Sequence, residues 1–301
     1  MTHLPEITVV HHDGGDRLGE TPLWCDQTQD LTWLDIEQPR LHRLHPATGA
    51  HSVTPFDCDW LGSQALCTDG TQLIAKDLTL HTYDARTGAS SPFVAVEDNA
   101  ATGFDNRLND GRVDQWGRLW IGTMDNQLHR PNGAFYRVDG DASVTRIGSD
   151  VIVANGIAFS PDGRRMHFTD TRRHQSWVYD IDPADGEITS RRIWADYSAT
   201  GDRPDGAAMD VDGCLWAAFF GGGKIVRYTP DGRIDREIAL PVTNPTCLCF
   251  GGPDYRTLYI TTAFKFLSPA QRAAEPLAGA LLAIDGIGQG LPEHRFKRDI
   301  S

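Results

Sequence analysis

The sequence predicts an all-β fold, a six-bladed β-propeller of four-stranded antiparallel blades. Three observations predict it. Short apolar runs with strand-like alternation are punctuated by Gly, Asp-Gly and Pro-Asp-Gly along the chain, and helix-period patterning is scarce. The central apolar residues Trp33, Ile74, Trp120, Phe168, Trp216 and Tyr259 recur at spacings of 41, 46, 48, 48 and 43 residues. A period of roughly 40 to 50 residues is that of a propeller blade. The third observation is a shared grammar within each repeat.

A first strand (Thr21 to Trp24, Arg112 to Val113, Ile157 to Ser160, Ala207 to Val211) meets a tight turn such as Pro161-Asp162-Gly163 or Asp212-Gly213. The anchor strand follows, and then a third strand with a late aromatic residue or leucine, as in Ser176-Trp177-Val178-Tyr179 and Ile225-Val226-Arg227-Tyr228. A second glycine-bearing turn and an outer strand close the unit. Six such units use nearly the whole length, so residues 1–301 are read as one domain. Ile7 to His11 alternates like a lone strand ahead of the first unit, and is expected to complete the blade that contains Tyr259 and so close the ring. The longest irregular segments, Asp57 to Gly62, Glu97 to Phe104, Asp125 to Asn132 and Lys265 to Pro276, are candidate substrate walls.

Composition narrows the function. The formal net charge of −13 argues against nucleic acid and anionic membranes as partners. The six cysteines form no C-x-x-C pair, and are expected to be reduced and mostly buried. No basic stretch followed by an apolar run opens the chain, and no window approaches ~18 apolar residues, so the expected location is cytoplasmic. There is no G-x-S-x-G elbow, P-loop or H-E-x-x-H motif. The eleven histidines are scattered, and His42 and His45 are read as solvent-facing.

The chemistry-bearing residues emerge from a count backwards from each anchor. Glu20 and Asn155 lie 13 residues before Trp33 and Phe168, and Asn109 and Asp205 lie 11 before Trp120 and Trp216. Four polar side chains thus share one phase, at the head of the innermost strand, where a propeller lines its channel. In the remaining two blades the phase falls near Ser63 and Cys247, which are small. Asn109-Asp110, Asn155-Gly156 and Asp205-Gly206 are also turn dipeptides. Yet each repeat already has its turn about seven residues later, and four coincident phases favour function. Two carboxylates and two amides are hard oxygen donors, suited to one divalent metal ion. Calcium ranks first, with zinc, manganese, magnesium or iron as alternatives. A structural salt-bridged network is the competing reading, but buried acids without a cation are costly.

At these residues the chain resembles the SMP-30/gluconolactonase/regucalcin-like family of six-bladed propellers, over essentially its full length. The matching motifs are Gly19-Glu20-Thr21-Pro22-Leu23-Trp24, Asn106-Arg107-Leu108-Asn109-Asp110-Gly111 with Gly122-Thr123-Met124, Asn155-Gly156-Ile157-Ala158-Phe159-Ser160, and Pro204-Asp205-Gly206. The resemblance implies a metal held by Glu20, Asn155 and Asp205, substrate contacts from Arg107 and Asn109, and hydrolysis of a sugar-derived aldonolactone. The loop Asp125 to Asn132 is short beside the animal regucalcin type, so lid contacts are not carried over. Gly221-Gly222-Gly223 and Arg203 look more like bacterial sugar lactonases.

Asp205 is the candidate general base, and Arg107 and Asn109 are the candidate groups for a polyol. For Arg107 the alternative is an outward surface arginine, and Asp110 is read as a loop cap. His129 and Arg130 are candidates to select an anionic or highly oxygenated substrate, or else belong to a solvated loop. The expected partner is a small sugar lactone, and the expected state is a monomer or weak homo-oligomer. The rival functions are a non-catalytic calcium-binding regulatory protein and a hydrolase of non-sugar lactones or esters.

Overall fold

In a computed structural model, residues 5–299 are described. They form six four-stranded antiparallel sheets, the blades of a six-bladed β-propeller. The blades begin with the innermost strands Gly19–Cys25, Leu61–Leu66, Asn106–Val113, Ala154–Phe159, Pro204–Met209 and Pro245–Gly251, here called blades 1 to 6. Two short helices, Asn99–Thr102 and Pro269–Ala274, lie in two of the segments expected to be irregular. Thr8–His11 pairs with Leu281–Asp285 as the outermost strand of blade 6, the blade of Tyr259, as the sequence predicts.

The chain divides into two compact units of three blades each. One comprises Met1–Phe56 with Asp202–Pro292 and holds blades 5, 6 and 1. The other comprises Asp57–Gly201 with Glu293–Ser301 and holds blades 2, 3 and 4.

Burial falls from the inside of each blade outwards. The innermost strands of blades 2, 4, 5 and 6 are buried at every residue, whereas the outermost strands Ala50–Pro55 and Ile234–Ala239 are largely exposed. Four of the anchors lie between neighbouring blades in these clusters: Trp120 and Phe168 pack with Phe135 and Tyr179 between blades 3 and 4, and Trp33 and Tyr259 pack with Trp24 between blades 6 and 1. Truncating such a fully buried aromatic typically costs about 3–5 kcal/mol.

A buried indole needs an acceptor for its N–H, and three anchors obtain one from an aspartate. Trp120 Nε1 donates to Asp114 Oδ2 at 2.9 Å, Trp216 Nε1 to Asp210 Oδ2 at 2.9 Å, and Trp33 Nε1 to Asp16 Oδ2 at 2.8 Å. Asp114 and Asp210 each stand six residues before their tryptophan, and Oδ1 of each also accepts backbone N–H groups of its own turn. One carboxylate therefore fixes both a turn and an anchor.

Near its C-terminus the chain returns to blades 2 and 3. Phe296 is fully buried in their shared core, its N–H donates to Leu66 O at 2.8 Å, and Lys297 N donates to Gly117 O at 3.0 Å. All six cysteines are free thiols, four of them buried.

Candidate functional site

Each innermost strand breaks register with its neighbour at one phase: Asn109 and Asp205 fall within the breaks, Glu20 and Asn155 are the last paired residues before them, and Arg107 is paired with Met124 just ahead of one. The shifts fall between Glu20 and Leu23, Leu61 and Ser63, Leu108 and Gly111, Asn155 and Ala158, Pro204 and Ala207, and Pro245 and Cys247. A β-bulge releases a residue from the ladder and re-aims its side chain. Asn109-Asp110, Asn155-Gly156 and Asp205-Gly206 are thus irregularities inside buried strands, and none is a hairpin turn.

The two backward counts correspond to two bulge conformations. After Glu20 and Asn155, both at offset 13, the next residue is left-handed: Thr21 at φ 44° and Gly156 at φ 59°. At offset 11, Asp110 and Gly206 do not adopt positive φ. Glycine enters the left-handed region at no steric cost, but a β-branched threonine there is strained. Thr21 N donates to Glu20 Oε2 at 2.9 Å, so the strained residue holds the carboxylate in place.

In the unit of blades 2 to 4, Arg107, Asn109 and Asn155 are all buried and joined by hydrogen bonds. Arg107 Nη1 donates to Asn109 Oδ1 at 2.6 Å and to Leu108 O at 2.9 Å, while its guanidinium lies 5.4 Å from the centre of the Trp60 ring. Asn109 Nδ2 donates to Ala154 O at 2.8 Å and to Asn155 Oδ1 at 2.9 Å. Asn155 Nδ2 donates in turn to Thr171 Oγ1 at 2.8 Å. Arg107 is therefore not an outward surface arginine. Both N–H groups of the Asn109 amide are engaged within the protein, so what this side chain offers a ligand is Oδ1 or the placement of its neighbours. The Asn155 amide is thus oriented with its nitrogen on Thr171 and its oxygen towards Asn109. Trp60 and Thr171 have no counterpart in the sequence pattern: Trp60 lies in an irregular segment, and Thr171 just follows the anchor strand.

In the unit of blades 5, 6 and 1, Glu20 and Asp205 are buried, with exposures of 8% and 7%. A Cβ on Gly206 would lie 2.5 Å from Cys247 Cβ and 2.8 Å from its Cα, so the glycine beside Asp205 lets blades 5 and 6 approach closely. Glu20 and Asp205 both offer carboxylate oxygens, the donor type that a hard divalent cation takes.

Asp110 acts as a brace between blades. Its Oδ2 accepts from Ile157 N at 2.8 Å, joining blade 3 to blade 4. Burial pushes its carboxyl up to about 6, against the lowering influence of Arg112. A carboxyl raised from 3.8 favours the fold below its unfolded value, and that contribution is lost as pH rises through about 6. A shift of this size corresponds to roughly 3 kcal/mol. Asp110→Asn keeps an oxygen for Ile157 and cannot ionise. The variant should gain stability relative to the parent between pH 4.5 and pH 7, by about 2–3 kcal/mol in urea unfolding. An equal difference at the two pH values would refute the assignment.

Two of the loops are tied down locally. Glu97 Oε1 accepts from Thr123 Oγ1 at 2.7 Å and Tyr136 OH at 2.6 Å, and Oε2 accepts from Asn106 Nδ2 at 2.9 Å. Asp125 Oδ2 accepts from the backbone N–H groups of His129 and Arg130. Both residues are exposed, as a solvated loop requires.

His42 is corrected by the structure. It is buried, its ring stacks 4.6 Å from Trp33 at an interplanar angle of 11°, and it does not face solvent. His45 is half-buried.

Residues 18–264 match the model of the SMP-30/gluconolactonase/LRE-like region. The chain belongs to the SMP-30/gluconolactonase family. Among its relatives, a 6-deoxy-6-sulfogluconolactonase of Pseudomonas putida is 39% identical over 267 residues, covering 88% of this chain and 90% of its own. An L-arabinolactonase of Azospirillum brasilense is 35% identical, covering 94% and 93%. A crystal structure of a calcium-binding protein, regucalcin, from Agrobacterium tumefaciens superposes with a TM-score of 0.91 at 30% identity, covering 96% of both chains. Among the described residues no helix of this family member is long and apolar enough to cross a membrane.

Proposed function

We propose that this member of the SMP-30/gluconolactonase family is a lactonase that opens a sugar-derived aldonolactone to its sugar acid with the help of one divalent metal ion. The observation that carries the reading is the set of buried polar side chains at the bulge phase of four innermost strands, Glu20, Asn109, Asn155 and Asp205. Relatives with this family's sequence are named for hydrolysing sugar lactones, which supports the same reaction class.

Glu20, Asn155 and Asp205 would hold the ion. When bound, a divalent ion supplies Lewis acidity for the lactone carbonyl or for a water molecule. Asp205 accepts the proton of the attacking water as general base. Glu20 keeps its carboxylate oriented through the Thr21 N–H. Arg107 offers a cationic N–H fork to the ring ester and hydroxyl oxygens, with Trp60 against its guanidinium. Asn109 holds Asn155 and Arg107 in mutual register and presents Oδ1 towards a sugar hydroxyl. Hydrolysis adds water across the acyl–oxygen bond, giving one carboxylate and one alcohol.

The test is a panel of aldonolactones, one of them sulfonated at C6, followed by pH indicator. Chelated protein is assayed with Ca²⁺, Zn²⁺, Mn²⁺, Mg²⁺ or Fe²⁺ restored one at a time. The expected result is metal-restored turnover of at least one sugar lactone, and little of aryl esters. The name of the Agrobacterium relative favours calcium binding without catalysis as the second reading. Saturable Ca²⁺ binding with no turnover of any lactone would replace the proposal by that reading.

A further inference from the structure

A cluster of three histidines lies where blade 6 meets blade 1. His11 ends the strand Thr8–His11, which pairs with Leu281–Asp285 in blade 6. His42 and His51 belong to the third and fourth strands of blade 1. His42 Nδ1 is 3.1 Å from His51 Nε2, the ring centres of His11 and His51 are 4.0 Å apart, and one nitrogen from each of the three rings lies within 4.8 Å of the others.

His42 is buried, and His11 and His51 are half-buried. On the far side of His42, Nε2 stands 3.2 Å from Asp16 Oδ1, and Trp33 stacks on its face. A carboxylate behind an imidazole is the usual support for a metal-bound histidine. Asp16 is itself placed by Arg40 at 3.0 Å and by the Trp33 N–H. Tetrahedral zinc with Zn–N of 2.0–2.1 Å sets its nitrogens about 3.4 Å apart. The His42–His51 pair is already near that separation. The widest pair must close by at most ~1.4 Å, within reach of a side-chain rotation by the half-buried His11.

We propose that His11, His42 and His51 bind a late first-row divalent cation of the zinc or nickel class, and that the ion fastens the N-terminal strand of blade 6 to blade 1. Imidazole nitrogen selects such ions over calcium and magnesium, which take oxygen ligands. The site is thus chemically separate from the oxygen donors assigned to catalysis. Without the ion, Thr8–His11 is held through one ladder to Leu281–Asp285, the packing of Val10 on the core between blades 6 and 1, and ring contacts of His11.

The experiment uses tag-free, chelator-treated full-length protein and the metal alone. Zinc and, separately, calcium are titrated calorimetrically into wild type, His11→Gln, His51→Gln and the exposed control His12→Gln. Hydrogen exchange of the peptide spanning Thr8–His11 is followed with and without zinc. Wild type and His12→Gln should bind one more equivalent of zinc than either site variant. Zinc should slow exchange at Thr8–His11 about tenfold or more in those two proteins only. Calcium should do neither. Equal zinc stoichiometry in wild type and both site variants, or no zinc protection of the strand in wild type, would overturn the proposal. Lactone turnover of the site variants is measured alongside, so that failure here is distinguishable from failure of the catalytic reading.

Discussion

Asp205→Asn is expected to lower kcat/KM for a responsive sugar lactone by about 10²–10⁴-fold, the usual range for a lost general base. The unfolding free energy should change by no more than about 1 kcal/mol. Asparagine matches aspartate in size, and the pairs on either side of the bulge, Pro204 with Phe219 and Ala207 with Ala217, do not involve the side chain. The variant keeps a neutral oxygen but loses the ability to accept a proton and the charge that favours a cation. A purely structural Asp205 would give the opposite pattern, with activity kept and stability altered. The pH profile separates the two losses: if residual turnover no longer falls on the acid side, the base is the missing element. If turnover recovers at high metal concentration, the missing element is affinity for the ion. Wild-type turnover by a folded Asp205→Asn protein, with and without chelator, would end the catalytic assignment.

The propeller was legible because blade packing repeats. The anchors Trp33, Trp120, Phe168, Trp216 and Tyr259 face the same need, to fill the space between two blades, so one spacing recurs and shows in the pattern. The terminal strand Thr8–His11 was legible for a related reason, since its alternation has no partner nearby in sequence. Glu20, Asn109, Asn155 and Asp205 stood out as polar residues at one phase of an apolar strand. Their bulges did not, because an unpaired position in a ladder is a relation between two strands. The same limit explains His42, whose polar character suggests solvent while a tryptophan and an aspartate from elsewhere in blade 1 and its entry loop enclose it. Phe296 is a further case, as its burial depends on a return to blades 2 and 3 from about 150 residues or more away in sequence. Pattern reveals what repeats, and single long-range contacts leave no period.

Gly62→Ala should destabilise the protein by about 3 kcal/mol, the upper part of the range for overpacking a filled core. It should also cost about 10²-fold in activity, because it displaces the strand that carries Arg107 and Asn109. Gly62 occupies the bulge of blade 2, and an added Cβ would overlap the Leu108 carbonyl oxygen and lie 2.7 Å from its carbon. Both atoms belong to the backbone, so no rotamer change relieves the clash. Leu108 cannot retreat cheaply: its N–H is bonded to Asp77 O at 2.8 Å, and its carbonyl accepts Arg107 Nη1. Trp60, two residues before the glycine, lies against the Arg107 guanidinium, and its backbone is held by Asp77 Oδ1 at 2.9 Å. Apart from Trp60, blade 2 therefore acts on Arg107 and Asn109 through the close approach of its backbone at Gly62. The small residues at this phase serve packing, which lets Arg107 and Asn109 be placed by backbone contact. Ser63→Ala, one residue further on, removes an atom and should stay within about 1 kcal/mol of wild type. Urea unfolding and kcat/KM measured on both variants decide the matter: an alanine at position 62 tolerated as well as one at position 63 would show that the backbone approach of blades 2 and 3 does not position the strand of Arg107 and Asn109.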